Sequence, residues 1–459
     1  MKKLLISSLT LGVALGAAAA TTYCNPMALP NVPVSCNCRN PRPQDADKEQ
    51  FRELADPSLL VEDGKIYVYP SDGMAWRSCD GGATWEKLDV GVEDIGYAPT
   101  IVKHGDKYLL MSGTRIIYAA SKPEGPFTRC AVAPEPPKGV PGMGDPMFFS
   151  EDGHLYLYFG CSEKDGIWGC EIDPVNFSTF VQEPRLLIPF EPETQAWECK
   201  PKEPKISWIE GSWMVKINGR YCLTYSSSGT EHARYAMGAA WSDSPLGTFV
   251  KQKKNPFFRK TTGLVTGIGH GSIVHGTRPG ELLATYCIYS GVHHGFERLI
   301  GFDRLRLDAN GDLAVQEATE TPQFADGSGM VPWTTAPFKG PDPVFTDAKL
   351  QTFAAVGPLP ATVPFKTDYS LVVRAYRLIW RDLGLNVQKG AKPGPYKYRV
   401  EYKDGETWKV LVDASDNATD LFIDYRETPA VRTSELRLVV LGAPAGITPA
   451  ITEFTVFSE

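Results

Sequence analysis

The chain has 459 residues, of which 42 % are hydrophobic, and a formal net charge of −7. A length of this order predicts two or three domains rather than one. The acidic balance provides no basic surface of the kind that binds nucleic acid or an anionic membrane, so both partner classes are excluded.

The first twenty residues have the pattern of a secretory signal peptide. Lys2 and Lys3 give a basic start, residues 4–15 form a largely apolar core, and residues 16–20 are small, as at a cleavage site. We therefore predict that residues 1–20 are a signal peptide and that the protein is periplasmic or extracellular. No later stretch reaches the roughly 18 apolar residues of a membrane span, so no membrane insertion is expected.

The ten cysteines would then lie in a compartment that permits disulfides. Cys24, Cys36 and Cys38 cluster in a Pro/Asn-rich segment and are the best candidates to staple it. Cys222 and Cys287 lie within predicted core strands, where free buried thiols are common. Metal binding by the Cys36–Cys38 pair is disfavoured because no second Cys/His pair follows at the spacing of a zinc finger.

Three segments share one pattern: an acid, an apolar strand, a two-residue turn and a second strand. The acids are Asp56, Asp145 and Glu210, and the turns that follow them are Asp63-Gly64, Asp152-Gly153 and Asn218-Gly219. Such Asp-Gly and Asn-Gly pairs between apolar runs are strong signals of hairpins. Two further copies begin without an acid, at residues 97–102 and 269–274, and turn near Gly105-Asp106 and Pro279-Gly280.

Five copies at a spacing of roughly 40–60 residues, each with about four short strands, predict an all-β fold with a five-bladed β-propeller over residues 21–335. A β-sandwich is the alternative, but sandwiches do not repeat one strand-turn-strand unit five times. In a propeller the innermost strand of every blade begins at the central axis. The three acids should therefore meet in one funnel, joined by Thr100 and His270 from the other two blades.

Converging carboxylates suit the hydrolysis of a glycosidic bond with inversion. One carboxylic acid protonates the leaving oxygen, and a carboxylate activates water on the opposite face of the sugar. A third carboxylate nearby can raise the pKa of the acid by like-charge repulsion. Each acid alone has an ordinary explanation in a turn or a loop, but three acids at one position of a repeat favour a shared function.

Over residues 50–310 the chain resembles glycoside hydrolase family 43. The resemblance is carried, in order along the chain, by Ala55-Asp56-Pro57-Ser58, Tyr97-Ala98-Pro99, Gly144-Asp145-Pro146, Glu210-Gly211 and Gly269-His270-Gly271. It implies that Asp56 is the general base, Glu210 the general acid and Asp145 the residue that modulates the pKa of the acid. It implies inversion and no required cofactor. It also places His270 at the base of the site, where some members hold a structural calcium ion largely through water.

Five residues are predicted to contact the sugar: Trp76, Tyr97, Thr100, His270 and Arg298. Trp76 suits either a platform for a sugar face or core packing. Arg298 could reach a sugar hydroxyl or the modulating carboxylate, the alternative being a surface ion pair. Tyr97 and Thr100 depart from the Trp-Ala-Pro pattern of the family, so the wall of the pocket is expected to differ. His293 and His294 point to opposite faces of a strand and are not expected to share a metal.

Glu198 is an alternative acid. Trp197-Glu198-Cys199 resembles the Glu-Cys-Pro segment of family 32 fructosidases, which are retaining propellers. The other signature segments of that family are absent, since Gly144 rather than arginine precedes Asp145. Glu210 is therefore the preferred acid.

The pattern changes after a Pro/Gly/Thr-rich passage at residues 321–342, which is predicted to be a linker. Alternating strands then predict a second domain, a jelly-roll-like β-sandwich over residues 345–459. This region resembles discoidin-like domains in Tyr398-Arg399-Val400-Glu401-Tyr402, Thr407-Trp408 and Glu453-Phe454-Thr455-Val456-Phe457. Such domains either bind carbohydrate or brace the catalytic domain.

The sequence thus predicts an exported, inverting glycoside hydrolase whose partner is a polysaccharide or oligosaccharide. The resemblance points to substrates that contain arabinose, xylose or galactose. An exo-acting α-L-arabinofuranosidase or β-xylosidase is the first expectation, and an endo-arabinanase the second. A non-catalytic propeller that binds glycans is the alternative from a different class. Nothing in the sequence sets the oligomeric state.

Overall fold

The structure of the protein is a computed structural model that describes residues 21–35, 46–92, 95–163, 165–200 and 203–459. Within these ranges the helical segments are three short 3₁₀ turns, Ala196–Glu198, Pro343–Thr346 and Val387–Lys389, and none of them is long enough to cross a membrane. The all-β prediction is confirmed. The predicted signal peptide lies outside the described residues.

Five antiparallel sheets follow one another along the chain and confirm the predicted five-bladed propeller. Blades I to IV have four strands each, and blade V has three. The strands of this part are β1 Thr22–Tyr23; blade I, β2 Ser58–Glu62, β3 Lys65–Tyr69, β4 Ala75–Ser78 and β5 Glu86–Leu88; blade II, β6 Thr100–His104, β7 Lys107–Met111, β8 Ile116–Ala120 and β9 Thr128–Val132; blade III, β10 Met147–Glu151, β11 His154–Phe159, β12 Ile167–Ile172 and β13 Phe180–Ile188; the hairpin β14 Cys199–Lys200 and β15 Glu203–Ser207; blade IV, β16 Ile209–Ile217, β17 Arg220–Ser227, β18 Ala236–Ser242 and β19 Val250–Lys251; blade V, β20 Gly269–His275, β21 Leu282–Tyr289 and β22 Arg298–Leu305; and β23 Gln323–Phe324.

The predicted hairpin turns connect the first two strands of blades I, III and IV. In each turn both central residues have positive φ, for example 49° and 75° at Asp63 and Gly64, and 51° and 82° at Asn218 and Gly219. This backbone twist matches the twist of the flanking strands, and Asp, Asn and Gly adopt it at low cost. Local sequence therefore fixes the register of these hairpins.

Each blade has another residue in the left-handed backbone conformation, near the start of its innermost strand. The five residues are Asp56, Ala98, Asp145, Gly211 and His270, with φ of 50°, 52°, 49°, 61° and 45°. A non-glycine residue in this region is uncommon, and the conformation costs roughly 1 kcal/mol or more. Each blade thus begins with the same tight corner at the propeller axis.

A second sheet follows the propeller. Its strands are β24 Thr334–Thr335, β25 Ala354–Ala355, β26 Ala361–Leu383, β27 Lys397–Asp404, β28 Thr407–Ala414, β29 Ile423–Gly442 and β30 Thr448–Ser458. They form one hydrogen-bonded sheet in the order β24-β30-β26-β29-β27-β28, and β25 also pairs with β30. Its core contains Phe365, Trp380, Tyr398 and Phe454. The passage predicted to be a linker is itself paired, since it contributes β23 and β24.

The N-terminal segment lies between the propeller and this second sheet. β1 pairs with β23, and the backbone N–H groups of Met27 and Leu54 donate hydrogen bonds to the carbonyls of Ile300 and Arg298 in β22. The buried guanidinium of Arg52 forms ion pairs with Asp382 at 2.5 Å and with Asp420 at 2.7 Å. The segment therefore joins blade V to the C-terminal sheet.

No disulfide occurs among the described cysteines. Cys24 is a buried thiol packed against Val331, Trp333 and Phe457, so it serves the core at the domain junction. Cys36 and Cys38, its predicted partners, lie outside the described residues. Cys222 and Cys287 are free and buried in β17 and β21, as predicted.

Candidate active site

A pocket of about 350 Å³ opens at the propeller axis and receives side chains from all five blades and their loops. Its lining residues are Asp56, Tyr97, Asp145, Cys161, Trp208, Glu210, Thr230, Glu231, His270, Phe296 and Arg298. The structure therefore brings the three predicted acids together, along with Tyr97, His270 and Arg298. The volume lies at the lower end of the range for small-molecule sites.

Asp56 is a buried carboxylate surrounded by donors. Its Oδ1 accepts a hydrogen bond from Arg298 Nη1 at 2.8 Å and lies 3.1 Å from His270 Nδ1, and its Oδ2 accepts one from Ser71 Oγ at 3.2 Å. Burial by itself would raise the pKa of Asp56. The charges of Arg298 and His270 outweigh this effect, together with hydrogen bonds from the side chains of Cys287 and Ser71. The pKa is therefore lowered, and the carboxylate stays ionised.

Asp145 has the opposite environment. Burial, with the charges of Glu210 and Asp56, raises its pKa to about 7, although His270 and the backbone N–H of Gly211 act against the rise. That N–H donates to Oδ2 of Asp145 at 3.3 Å, and His270 Nδ1 lies 3.7 Å from the same oxygen. The two aspartates, which have the same side chain, therefore hold different protonation states near neutral pH.

Glu210 is held by aromatic donors. Its Oε1 accepts a hydrogen bond from the hydroxyl of Tyr235 at 2.6 Å, and its Oε2 accepts one from Trp208 Nε1 at 2.6 Å and one from the Cys161 thiol at 3.4 Å. These donors hold the carboxyl group in place. The side chain is only 7 % exposed, so its orientation is set by these contacts.

His270 lies between the three acids. Burial opposes its protonation, but the charges of Asp56, Asp145 and Glu210 outweigh burial and raise its pKa. A Cβ atom on Gly211 would lie 3.0 Å from both Cα and Cγ of His270, which explains why glycine follows Glu210. Close approach of blades IV and V here packs the imidazole against the acids.

Arg298 and Tyr97 form one wall of the pocket. The guanidinium carbon of Arg298 lies 5.6 Å from the centre of the Tyr97 ring. The Arg298 side chain is buried between Asp56 and Glu53, so it does not form the surface ion pair that the sequence left open. It contacts the predicted base, Asp56, rather than the modulating Asp145.

Trp76 and Thr100 lie outside the pocket, and the predicted sugar contacts of both are corrected. Trp76 is fully buried, and its Nε1 donates to the carbonyl of Pro30 at 2.8 Å in the core beneath the N-terminal segment. The Thr100 hydroxyl accepts a hydrogen bond from the backbone N–H of Phe148 at 2.9 Å. It therefore joins blade II to blade III.

Glu198 is also outside the pocket. It is fully buried, and its Oε1 accepts hydrogen bonds from Lys251 Nζ at 2.7 Å and from the hydroxyl of Tyr225 at 2.7 Å. A carboxylate neutralised in this way serves the structure of blade IV. The placement favours Glu210 over Glu198 as the acid.

Sequence reasoning missed several residues of the site, notably Trp208, Tyr235, Cys161, Phe296 and Glu53. Trp208 could have been found, since it stands two residues before Glu210, and alternate residues of an extended chain share a face. Tyr235 and Cys161 contact Glu210 from 25 and 49 residues away. No local pattern marks such distant contacts.

The acids and the imidazole offer an incomplete set of ligands for a cation. Oxygen or nitrogen atoms of Asp145, Glu210 and His270 lie within 4.8 Å of one another. Both oxygens of Glu210 already accept hydrogen bonds, and calcium prefers six to eight oxygen ligands. These three residues therefore do not fit a directly bound calcium ion, and no catalytic step is assigned to a metal.

Comparison with known proteins agrees with this geometry. Residues 52–313, more than half of the chain, match glycosyl hydrolases family 43. The propeller and its pocket are those of a glycoside hydrolase. The chain belongs to glycoside hydrolase family 43, whose members act with inversion.

Curated relatives are similar at modest identity. A β-xylosidase from Xylanibacter ruminicola is 27 % identical over 264 residues, which cover 43 % of this chain and 78 % of the relative. A xylosidase/arabinosidase from Humicola insolens is 27 % identical over 318 residues, which cover 55 % and 90 % of the two chains.

Solved structures share the fold. A thermostable family 43 glycoside hydrolase covers 66 % of this chain and 98 % of its own, with a TM-score of 0.52 at 22 % identity. A family 43 protein from Bacillus licheniformis covers 95 % and 99 %, with a TM-score of 0.50 at 14 % identity. The second alignment spans the C-terminal sheet as well as the propeller.

Proposed function

We propose that the protein is an exo-acting α-L-arabinofuranosidase or β-xylosidase, with Asp56 as general base, Glu210 as general acid and Asp145 as modulator. The observation that carries the proposal is the convergence of three carboxylates from three blades on one pocket. The names of the curated relatives, β-xylosidase and xylosidase/arabinosidase, support these two sugars. A pocket of about 350 Å³ suits one or two sugar units better than a long chain.

The two reacting groups need opposite protonation states. Asp56 is kept ionised by Arg298 and His270, so it can accept a proton from water as that water attacks the anomeric carbon. Glu210 gives its proton to the leaving oxygen on the other face. The carboxyl of Asp145 lies within 4.8 Å of Glu210, and two carboxyl groups this close do not readily ionise together, so the pair retains one proton.

The assignment of Glu210 as general acid can be tested by measuring kcat/KM on two substrates with different leaving groups. Glu210→Gln should lower kcat/KM about 10²–10⁴-fold on a xylose or arabinose disaccharide, the usual contribution of a general acid. The loss should be much smaller on a dinitrophenyl glycoside, because that leaving group departs without protonation. Asp56→Asn should lower both activities equally, because both reactions need the activated water.

Two substitutions of the same chemistry serve as controls. Asp152→Asn changes an aspartate at the hairpin turn of blade III, and Glu183→Gln changes an exposed glutamate on the outer strand of that blade. Both should leave kcat/KM unchanged. The proposal is wrong if the wild type releases no sugar from xylosides or arabinosides, or if Glu210→Gln is as active as the wild type on the disaccharide.

Three further features are proposed with the function. We propose that residues 1–20 direct export and are removed, which mass spectrometry of the mature N-terminus would test. We propose that a calcium ion, where present near His270, is structural and held through water. The C-terminal sheet is proposed to be a discoidin-like domain that braces the propeller, supported by the buried pairs of Arg52 with Asp382 and Asp420.

A further inference from the structure

We propose that Glu53 is a positioning residue of the active site: it holds Arg298 and Tyr97 in the places from which they act on Asp56 and on the bound sugar. The inference rests on the proposed function, because it takes Asp56 as the base. Glu53 lies three residues before Asp56 and outside the pocket, so it acts only through the residues that it contacts.

Three donors from three parts of the chain converge on the Glu53 carboxylate. Its Oε1 accepts a hydrogen bond from Arg298 Nε at 3.0 Å. Its Oε2 accepts one from the hydroxyl of Tyr97 at 3.1 Å and one from the hydroxyl of Ser35. The side chain is only 3 % exposed, so these contacts replace water almost entirely. Blade V, blade II and the N-terminal segment therefore meet at one carboxylate.

Arg298 needs this second anchor. Its Nη1 donates to Asp56 at 2.8 Å, and its Nε, on a different edge of the planar group, donates to Glu53 at 3.0 Å and to the carbonyl of Phe296 at the longer distance of 3.3 Å. Two carboxylates on two edges fix the plane of a guanidinium, whereas one alone leaves it free to rotate. The backbone is fixed as well, because the N–H of Leu54 donates to the carbonyl of Arg298 at 3.1 Å.

Tyr97 is fixed by the same carboxylate. Its ring forms part of the pocket wall beneath Arg298, and its hydroxyl reaches Glu53. A tryptophan at this position would lack the hydroxyl that makes this contact. Tyr97, which departs from the family pattern, thus donates its hydroxyl to an acceptor, Glu53, from another part of the chain.

Glu53 could instead have a purely structural role, and this alternative makes different predictions. In that case Glu53 would compensate the buried charge of Arg298 and stabilise the fold, with no effect on how Arg298 meets Asp56. The other groups that face Asp56 would then set its behaviour: His270 from β20, Cys287 from β21, Ser71 after β3, and Asp145. The two roles predict different results in a double-mutant cycle.

The cycle combines Glu53→Ala with Arg298→Met, and kcat/KM is measured on the aryl xyloside or arabinoside that the wild type cleaves. Glu53→Ala alone should lower kcat/KM about 10²-fold, the cost of a small misplacement of a positioned group. In the Arg298→Met background it should add less than about threefold, because only the contact of Glu53 with Tyr97 is then left to lose. Glu53→Gln, which keeps an acceptor for Arg298 Nε, should restore most of the activity.

Crystal structures of the wild type and Glu53→Ala complete the test, with Arg298 expected to leave Asp56 in the variant. Glu86→Ala is the control: it changes an exposed glutamate on β5 of blade I that pairs with Arg77, and it should change neither structure nor rate. If Glu53→Ala does not fold, Tyr97→Phe and Glu53→Gln serve in the same cycle with smaller expected losses.

Equal losses in both backgrounds, or an Arg298 that stays on Asp56 in the Glu53→Ala crystal, would overturn the proposal. A wild type that cleaves no aryl glycoside would instead contradict the proposed function. The crystal structures would still decide whether Glu53 positions Arg298.

Discussion

Arg298 donates a hydrogen bond of 2.8 Å to Oδ1 of Asp56, and each of the two residues is only 5 % exposed. Water does not screen a pair at this depth, so the cation strongly favours the ionised form of the carboxyl. Blade V thereby sets the charge of a residue that opens blade I. Closure of the ring is what brings this pair together.

Replacement of Arg298 should make the base titrate at higher pH. In Arg298→Met the cation that lowers the pKa of Asp56 is lost, while burial, which raises it, remains. A base with a higher pKa becomes protonated at higher pH. The acidic limb of kcat/KM should therefore move to higher pH, as measured from pH–rate profiles.

Arg298→Lys keeps a positive charge and should shift this limb less, which separates the charge from the loss of packing. Circular dichroism at each pH would verify that the variants remain folded. An acidic limb that stays in place in Arg298→Met would show that Asp56 does not limit the rate there.

Asp145 should control the alkaline limb of the pH–rate profile. Its pKa of about 7 means that the folded protein holds this proton up to neutral pH, whereas an aspartate ordinarily has a pKa of 3.8. Activity should fall as pH rises through 7, because the carboxyl cluster loses its proton. Asp145→Asn should remove this limb and lower kcat, whereas Asp152→Asn should keep the wild-type profile.

The same group should couple stability to pH. The folded state binds this proton up to about pH 7, but the unfolded state only below about 4, so the free energy of unfolding should fall as pH rises between these values. Urea titrations at pH 5 and pH 8 would measure the change. An equal pH dependence in wild type and Asp145→Asn would contradict the assignment.

Arg52 should matter for stability rather than catalysis. Arg52→Met leaves the buried carboxylates of Asp382 and Asp420 without their cation, and loss of one partner of a buried pair costs about 3–5 kcal/mol. Arg77→Met breaks pairs with the exposed Glu86 and the half-buried Glu124 and should cost about 1 kcal/mol, less than the loss of Arg52. Urea unfolding would measure both; similar costs would mean that the junction contributes little.

Chelation tests the role of a metal. If the proposed calcium is structural, EDTA should lower the melting temperature and leave kcat unchanged at temperatures where the protein stays folded. Added Ca²⁺ should restore the melting temperature. Loss of kcat at unchanged fold, recovered with Ca²⁺, would instead assign the ion to the reaction.

The blades and the three acids could be predicted because their signals are local. An Asp-Gly or Asn-Gly turn fixes a hairpin within a few residues. Repetition of the unit then places Asp56 and Asp145 at the left-handed corners of their blades, and Glu210 directly before the corner residue Gly211. The predicted sugar contacts of Trp76 and Thr100 were wrong because those positions depend on distant parts of the chain. Their surroundings are set by Pro30 and Phe148, which lie 46 and 48 residues away.

The C-terminal region illustrates another limit. Alternating apolar residues predict strands but do not reveal where a long strand bends. β26 runs for 23 residues and β29 for 20, with irregular register at several points. Long strands such as these keep the sheet hydrogen-bonded as one. The alternation of apolar and polar residues along them would be the same if they belonged to two separate sheets. The paired linker was missed because its partners, Thr22 and Phe457, lie far away in sequence.

The N-terminal segment also has a consequence for the order in which the chain folds. Thr22 bonds to Glu427, 405 residues later, and Arg52 to Asp420, 368 residues later. These early residues must wait for strands that are synthesised near the end before they can dock. We expect the blades to form first and this segment to dock last, so a chain cut short before residue 420 should leave it without its partners.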